Sequence, residues 1–98
     1  MRILKWDLQI AELQTIEMPS GAEILTVQMQ NSVPRIWALC EESESINPRR
    51  IARRIDIVMP RRIAIYGTGH PINENPGIYI ATFQAGEFVF HVFEVTGS

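Results

Sequence analysis

Hydrophobic and polar positions alternate along much of this chain. Between 3 and 10, Leu4, Trp6, Leu8 and Ile10 fall on one side and Ile3, Lys5, Asp7 and Gln9 on the other. Period two with one polar face is the signature of a half-buried strand. A short extended piece, Thr15 to Met18, ends at Pro19-Ser20-Gly21, which reads as a turn. The alternation returns at 23–30, with Leu25, Val27 and Met29 directed inward and Thr26, Gln28 and Gln30 outward. Asn31-Ser32 then predicts a hairpin turn and Arg35 to Cys40 the returning strand. Pro34 belongs at that strand's start or edge, because it has no N–H for a ladder.

The pattern breaks at 41–60. Glu41 to Asn47 is polar and acidic and reads as an exposed loop. Asn47-Pro48 resembles a helix start, with Asn as the cap and Pro at the first helical position. Ile51 and Ile55 are spaced to share one helix face, although Ile55, Ile57 and Val58 equally suit a strand. A short helix running into an extended piece is the expectation, with Pro60 ending it.

Beyond Pro60 the strand pattern resumes. Segment 61–66 places Ile63 and Ile65 on one face and leads into Gly67-Thr68-Gly69-His70-Pro71. Ile78 to Gln84 and Glu87 to Val95 form a hairpin about Ala85-Gly86. In the last strand both faces are mostly apolar, which marks a central or doubly covered position. The pattern predicts a mainly β protein: a single domain over 1–98, a compact antiparallel sheet folded as a sandwich or partial barrel, with about six strands and at most one short helix.

Composition supports one ordered domain. The chain has 98 residues, of which 46% are hydrophobic, enough for a core. A domain this small buries a modest share of its surface, so self-association is a fair expectation. No apolar run approaches the roughly 20 residues of a membrane span. The charged N-terminal residues do not resemble a secretory signal, and a cytoplasmic location is expected. Cys40 stands alone, which excludes an intrachain disulfide and a thiolate metal cluster; in its apolar run it reads as a buried small hydrophobe.

Charge changes the picture locally. Six of the nine basic residues, Arg49, Arg50, Arg53, Arg54, Arg61 and Arg62, lie within one short segment, and ten of the eleven acidic residues lie outside it. Arginine presents a planar fork that grips phosphate through two hydrogen bonds. The cluster therefore reads as a patch for an anion or a partner, or as a solvated segment paired with Glu41, Glu42 and Glu44. The acidic balance of the whole chain argues against a nucleic-acid-coating role.

The candidate chemistry is sparse. No nucleophile elbow, Walker-type phosphate-binding loop or zinc-protease helix occurs. His70 and His91 are far apart and lack acidic neighbours at ligand spacing, so no metal is expected. His91, inside an aromatic strand, reads as packed or hydrogen-bonded. His70 reads either as a loop residue capping backbone groups or as a ligand contact. Gly67-Thr68-Gly69 can expose backbone N–H groups to a phosphate, or simply turn. Trp37 and Tyr66 offer rings for stacking on a base, and Trp37 equally suits the core. The candidate ligand-binding set is Tyr66, Gly67, Thr68, Gly69, His70, Arg61, Arg62, Arg54 and Trp37, with no cofactor.

Several phrases occur together: Ile16-Glu17-Met18-Pro19, Gly21-Ala22-Glu23-Ile24-Leu25, Trp37-Ala38-Leu39, Tyr66-Gly67-Thr68-Gly69-His70-Pro71-Ile72, Thr82-Phe83-Gln84 and Val89-Phe90-His91-Val92-Phe93-Glu94. In these the chain resembles a family of small, mostly uncharacterised bacteriophage and prophage proteins. The resemblance covers the chain apart from 41–60, which looks longer than the family pattern. It implies a phage origin and a compact β fold, and supplies no catalytic residue. By analogy of size and composition it suggests a sponge that sequesters a nucleotide second messenger of bacterial defence, a cyclic oligonucleotide or a cyclic ADP-ribose isomer. A module that binds and inhibits a host protein, and an enzyme using His70 as acid or base on a phosphate ester, are the competing expectations. Arg61→Ala and His70→Ala are expected to weaken a sponge's binding without unfolding it.

Overall fold

The computed structural model describes residues 1–41 and 58–96. These form seven strands: β1 (Arg2–Asp7), β2 (Leu13–Pro19), β3 (Glu23–Gln30), β4 (Val33–Cys40), β5 (Val58–Gly67), β6 (Ile78–Ala85) and β7 (Phe88–Val95). Among the described residues there is no helix. The expected helix near 48–55, and Arg49, Arg50, Arg53 and Arg54 with it, lie outside them.

The strands make two antiparallel sheets and no closed barrel, one ordered β1-β4-β3 and the other β2-β5-β7-β6. Residues directly opposite each other in a ladder share a face, so the registers sort the side chains. In the three-stranded sheet, Leu4, Trp6, Ile36, Ala38 and Val27 share the inner face; Ile3, Lys5, Arg35 and Trp37 share the outer. In the four-stranded sheet, Ile16, Ile63, Ile65, Val92, Ala81 and Phe83 are inner; Leu13, Thr15, Arg62, Ala64, Tyr66, His91, Phe93, Tyr79 and Thr82 are outer. The inner faces share one core that includes Met18, Val27, Ile36, Cys40, Ile63, Phe83 and Val92. β3 and β6, edges of different sheets, run side by side.

Three local details depart from simple alternation. A bulge between Ile24 and Thr26 makes Leu25 the extra residue of β3, and Leu25 is 42% exposed instead of inward. The alternation at the N-terminus outlasts its strand: β1 stops at Asp7, and Ile10 is exposed. Pro60 does not end an element but sits inside β5. The Thr68 N–H donates to the Val89 C=O, so even-numbered residues of β5 direct their backbone toward β7. β7 pairs only as far as Arg62, so the missing N–H of Pro60 points past the end of its neighbour.

The turns follow from backbone preference. Asn31 and Ser32 both have positive φ, 52° and 66°, as a two-residue type I′ hairpin demands. β5 and β6 are both antiparallel to β7, hence parallel to each other. Residues 68–77 must therefore travel back along the sheet. Gly77 closes this crossover at φ 111°, where a Cβ would stand 2.0 Å from the Glu94 carbonyl oxygen.

Candidate functional site

The returning crossover shapes a groove on the four-stranded sheet. Pro71, Ile72 and Asn73 lie against the outer face of the four-stranded sheet, opposite Glu12 and Leu13, with Arg62, Ala64, Tyr66 and Val95 completing a space of about 420 Å³. Ala64 and Tyr66 are buried as a result, although they face away from the main core. The Tyr66 ring packs edge-on against Phe93, with centroids 6.0 Å apart, and Tyr79 packs on Phe93 in the same manner at 5.7 Å. Arg62 is exposed, and among the described residues nothing pairs with its guanidinium.

Arg61, its neighbour, points to the other face and is engaged by the fold. Its Nε and Nη2 donate to the Glu94 carboxylate at 2.5 and 3.0 Å, and its Nη1 to the Ala22 carbonyl at 2.9 Å. The fork thus joins β5, β7 and the turn before β3. The hydrogen bond to Glu94 raises the pKa of Arg61 further, against the opposing cost of burial.

The glycine-rich loop divides the remaining candidates. Gly67, Thr68 and His70 line a separate cleft with Glu87, Phe88, Val89 and Phe90, of about 580 Å³ and mostly apolar. The His70 ring lies over Gly67, where a Cβ would stand 3.1 Å from its Nδ1, and the His70 N–H closes the turn on the Gly67 carbonyl. Gly69 has φ 91°, a conformation natural to glycine. Trp37 lies on the outer face of the other sheet, in a depression with Ile3, Lys5 and Trp6. The structure brings Tyr66 and Arg62 together, and Gly67, Thr68 and His70 together. It does not unite the two groups, and it leaves Trp37 apart from both. Arg54 lies outside the described residues.

A hydrogen-bonded chain not evident from the sequence crosses the outer face beside the groove. Tyr79 Oη is 2.8 Å from Thr82 Oγ1, Thr82 Oγ1 is 3.1 Å from His91 Nδ1, and His91 Nε2 is 2.7 Å from Thr68 Oγ1. Its polarity follows from its end. The Val89 carbonyl can only accept, so Thr68 donates to it and offers a lone pair to His91. In the neutral ring Nε2 then carries the hydrogen, and Nδ1 accepts from Thr82, which accepts from Tyr79. A bulge between Tyr79 and Ala81 puts Tyr79 and Thr82 on one face, a placement that strict alternation forbids.

Among the described residues, no cluster of His, Cys, Asp and Glu is arranged to hold a metal, and no helix is long and apolar enough to cross a membrane. Neither the curated proteins nor the solved structures contain a match to this chain. A family model matches residues 1–98, including the arginine-bearing segment, and the chain accordingly belongs to the family described as a domain of unknown function, DUF7352.

Proposed function

We propose that this chain is a phage-encoded, non-catalytic binding protein of the infected cell's cytoplasm that sequesters a small nucleotide-type messenger. The observation that carries this reading is the pairing of Arg62 with Tyr66 in one groove. A guanidinium with no partner among the described residues is suited to a phosphate. The apolar wall of Leu13, Tyr66, Ile72 and Val95 suits a nucleoside, and Asn73 adds donors and an acceptor for its polar edge. Glu12 at the rim favours a ligand with one concentrated anionic group over a polyanion. Sequestration works by mass action, so such a site must bind tightly and be abundant.

Purified protein mixed with cyclic dinucleotides, cyclic trinucleotides and ADP-ribose-derived signals, then filtered, is expected to deplete at least one compound. Heating the retained fraction should release it with its mass unchanged. Arg62→Ala should abolish depletion without shifting the melting temperature. A changed mass would identify an enzyme, and no depletion across the panel would end this reading. A host-protein inhibitor is the second reading. It is favoured by the exposed Leu25, Ile78 and Tyr79 around the groove where β3 meets β6, and it requires no nucleotide depletion.

A further inference from the structure

The four-stranded sheet ends at β2, and the direction of its backbone groups is readable. The Ile65 N–H donates to the Glu12 carbonyl at 3.3 Å, and the register that pairs Leu13 with Ala64 sets Glu12 opposite Ile65. Backbone groups of successive residues point to alternate sides. Gln14, Ile16 and Met18 therefore bond toward β5, whereas Leu13, Thr15 and Glu17 direct N–H and C=O away from the sheet. Among the described residues no other strand runs alongside this edge.

Sheet edges are ordinarily guarded by cations, bulges, prolines or a covering element. β1 carries Lys5 at its centre. β3 and β6 run beside each other, and each contains a bulge. β2 has no cation and no register shift, and its one proline, Pro19, comes last. Its side chains are open too: Leu13 is 56% exposed, and Thr15 and Glu17 are exposed.

We propose that β2 is a self-association edge, to which a second copy of this chain adds its own β2 in antiparallel register about Ile16. The occupant is argued from self-complementarity. In that register Ile16 lies opposite its own counterpart, Leu13 opposite the partner's Pro19, Gln14 opposite the partner's Met18 and Thr15 opposite the partner's Glu17. Apolar residues meet apolar ones at Ile16 and in both symmetry-related Leu13–Pro19 pairs, no like charges are opposed, and the Thr15 hydroxyl can donate to a carboxylate. Thr15 and the partner's Glu17 both direct their backbone groups outward, so each such pair exchanges two ladder hydrogen bonds. The two four-stranded sheets become one, and both Arg62–Tyr66 grooves open on the same face, either side of the two-fold axis. This association stands or falls independently of what the groove holds.

Sedimentation equilibrium of the full chain tests it, with circular dichroism as the check on folding. Wild type should be a dimer in the micromolar range. Thr15→Glu sets a carboxylate opposite the partner's Glu17 twice and should raise the dissociation constant about tenfold or more. Within its own subunit the new carboxylate faces Arg62 across the β2–β5 ladder, so the fold is expected to persist. Thr15→Glu combined with Glu17→Lys should restore wild-type association. Glu17→Lys alone removes the acceptor for the partner's Thr15 hydroxyl and sets a cation on the edge, so it should weaken association, a second readout if Thr15→Glu fails to fold. A monomeric wild type, a Thr15→Glu protein as tightly associated as wild type, or weakening without rescue by the double variant would overturn the proposal.

Discussion

Arg61 and Arg62 are adjacent in sequence and opposite in circumstance. The pleat of β5 sends one guanidinium to Glu94 and the Ala22 carbonyl and leaves the other beside Tyr66, with no partner among the described residues. Removing Arg61 strands a half-buried carboxylate and a carbonyl that it serves. Arg61→Ala is therefore expected to cost about 2–3 kcal/mol in urea unfolding, whereas Arg62→Ala should stay within about 0.5 kcal/mol of wild type. The expectation that Arg61→Ala would test binding alone thus gives way to a stability test. The arginine cluster was legible as charge, but that Arg61 is engaged by the fold depends on a carboxylate 33 residues away. Cys40 was legible as buried from its apolar run, and its burial raises the thiol pKa against a weaker opposing pull from Arg61. The native thiol holds its proton more tightly than the unfolded one. Its contribution to stability is thus complete below the ordinary thiol value and declines as pH rises past about 8.5. The urea midpoint should fall over that range more steeply in wild type than in Cys40→Ala.

Strands were the most legible elements, and period two runs unbroken through β1, β2 and β4. What alternation could not convey were its interruptions. The bulges in β3 and β6 expose Leu25 and align Tyr79 with Thr82, and both occur where the two sheets adjoin, a tertiary circumstance. Pro60 misled for a related reason: proline is excluded from a strand only where its nitrogen faces a partner. The Asn31-Ser32 turn was anticipated, and it contains a correctable weakness. Ser32 holds a φ of 66°, which costs a residue with a Cβ more than it costs glycine. Ser32→Gly should stabilise the protein by about 0.5–1 kcal/mol, seen as a higher melting temperature with the same unfolding slope in urea.

The whole molecule was legible as β and antiparallel, but its wiring was not. Consecutive strands β1 and β2 belong to different sheets, and β7 inserts between β5 and β6. Such partners are chosen by which faces can be buried together, information spread over the chain and absent from any local window. The same limitation split the candidate site. A continuous phrase from Tyr66 to His70 implied one pocket, yet Tyr66 faces the outer groove and His70 folds over Gly67 at the strand's end.

The crossover over 68–77 bears on how such a protein can change through descent. One wall of the groove is also the connection that lets β7 lie between β5 and β6, and it is fastened at Gly77, where no Cβ fits. Insertions that would reshape this wall disturb the chain's path through its own sheet. Diversity in recognition should therefore accumulate on the facing side, at Glu12, Leu13 and Arg62, where a side chain can be exchanged without rerouting the backbone. Relatives that differ in what they hold should differ there first and keep Gly77.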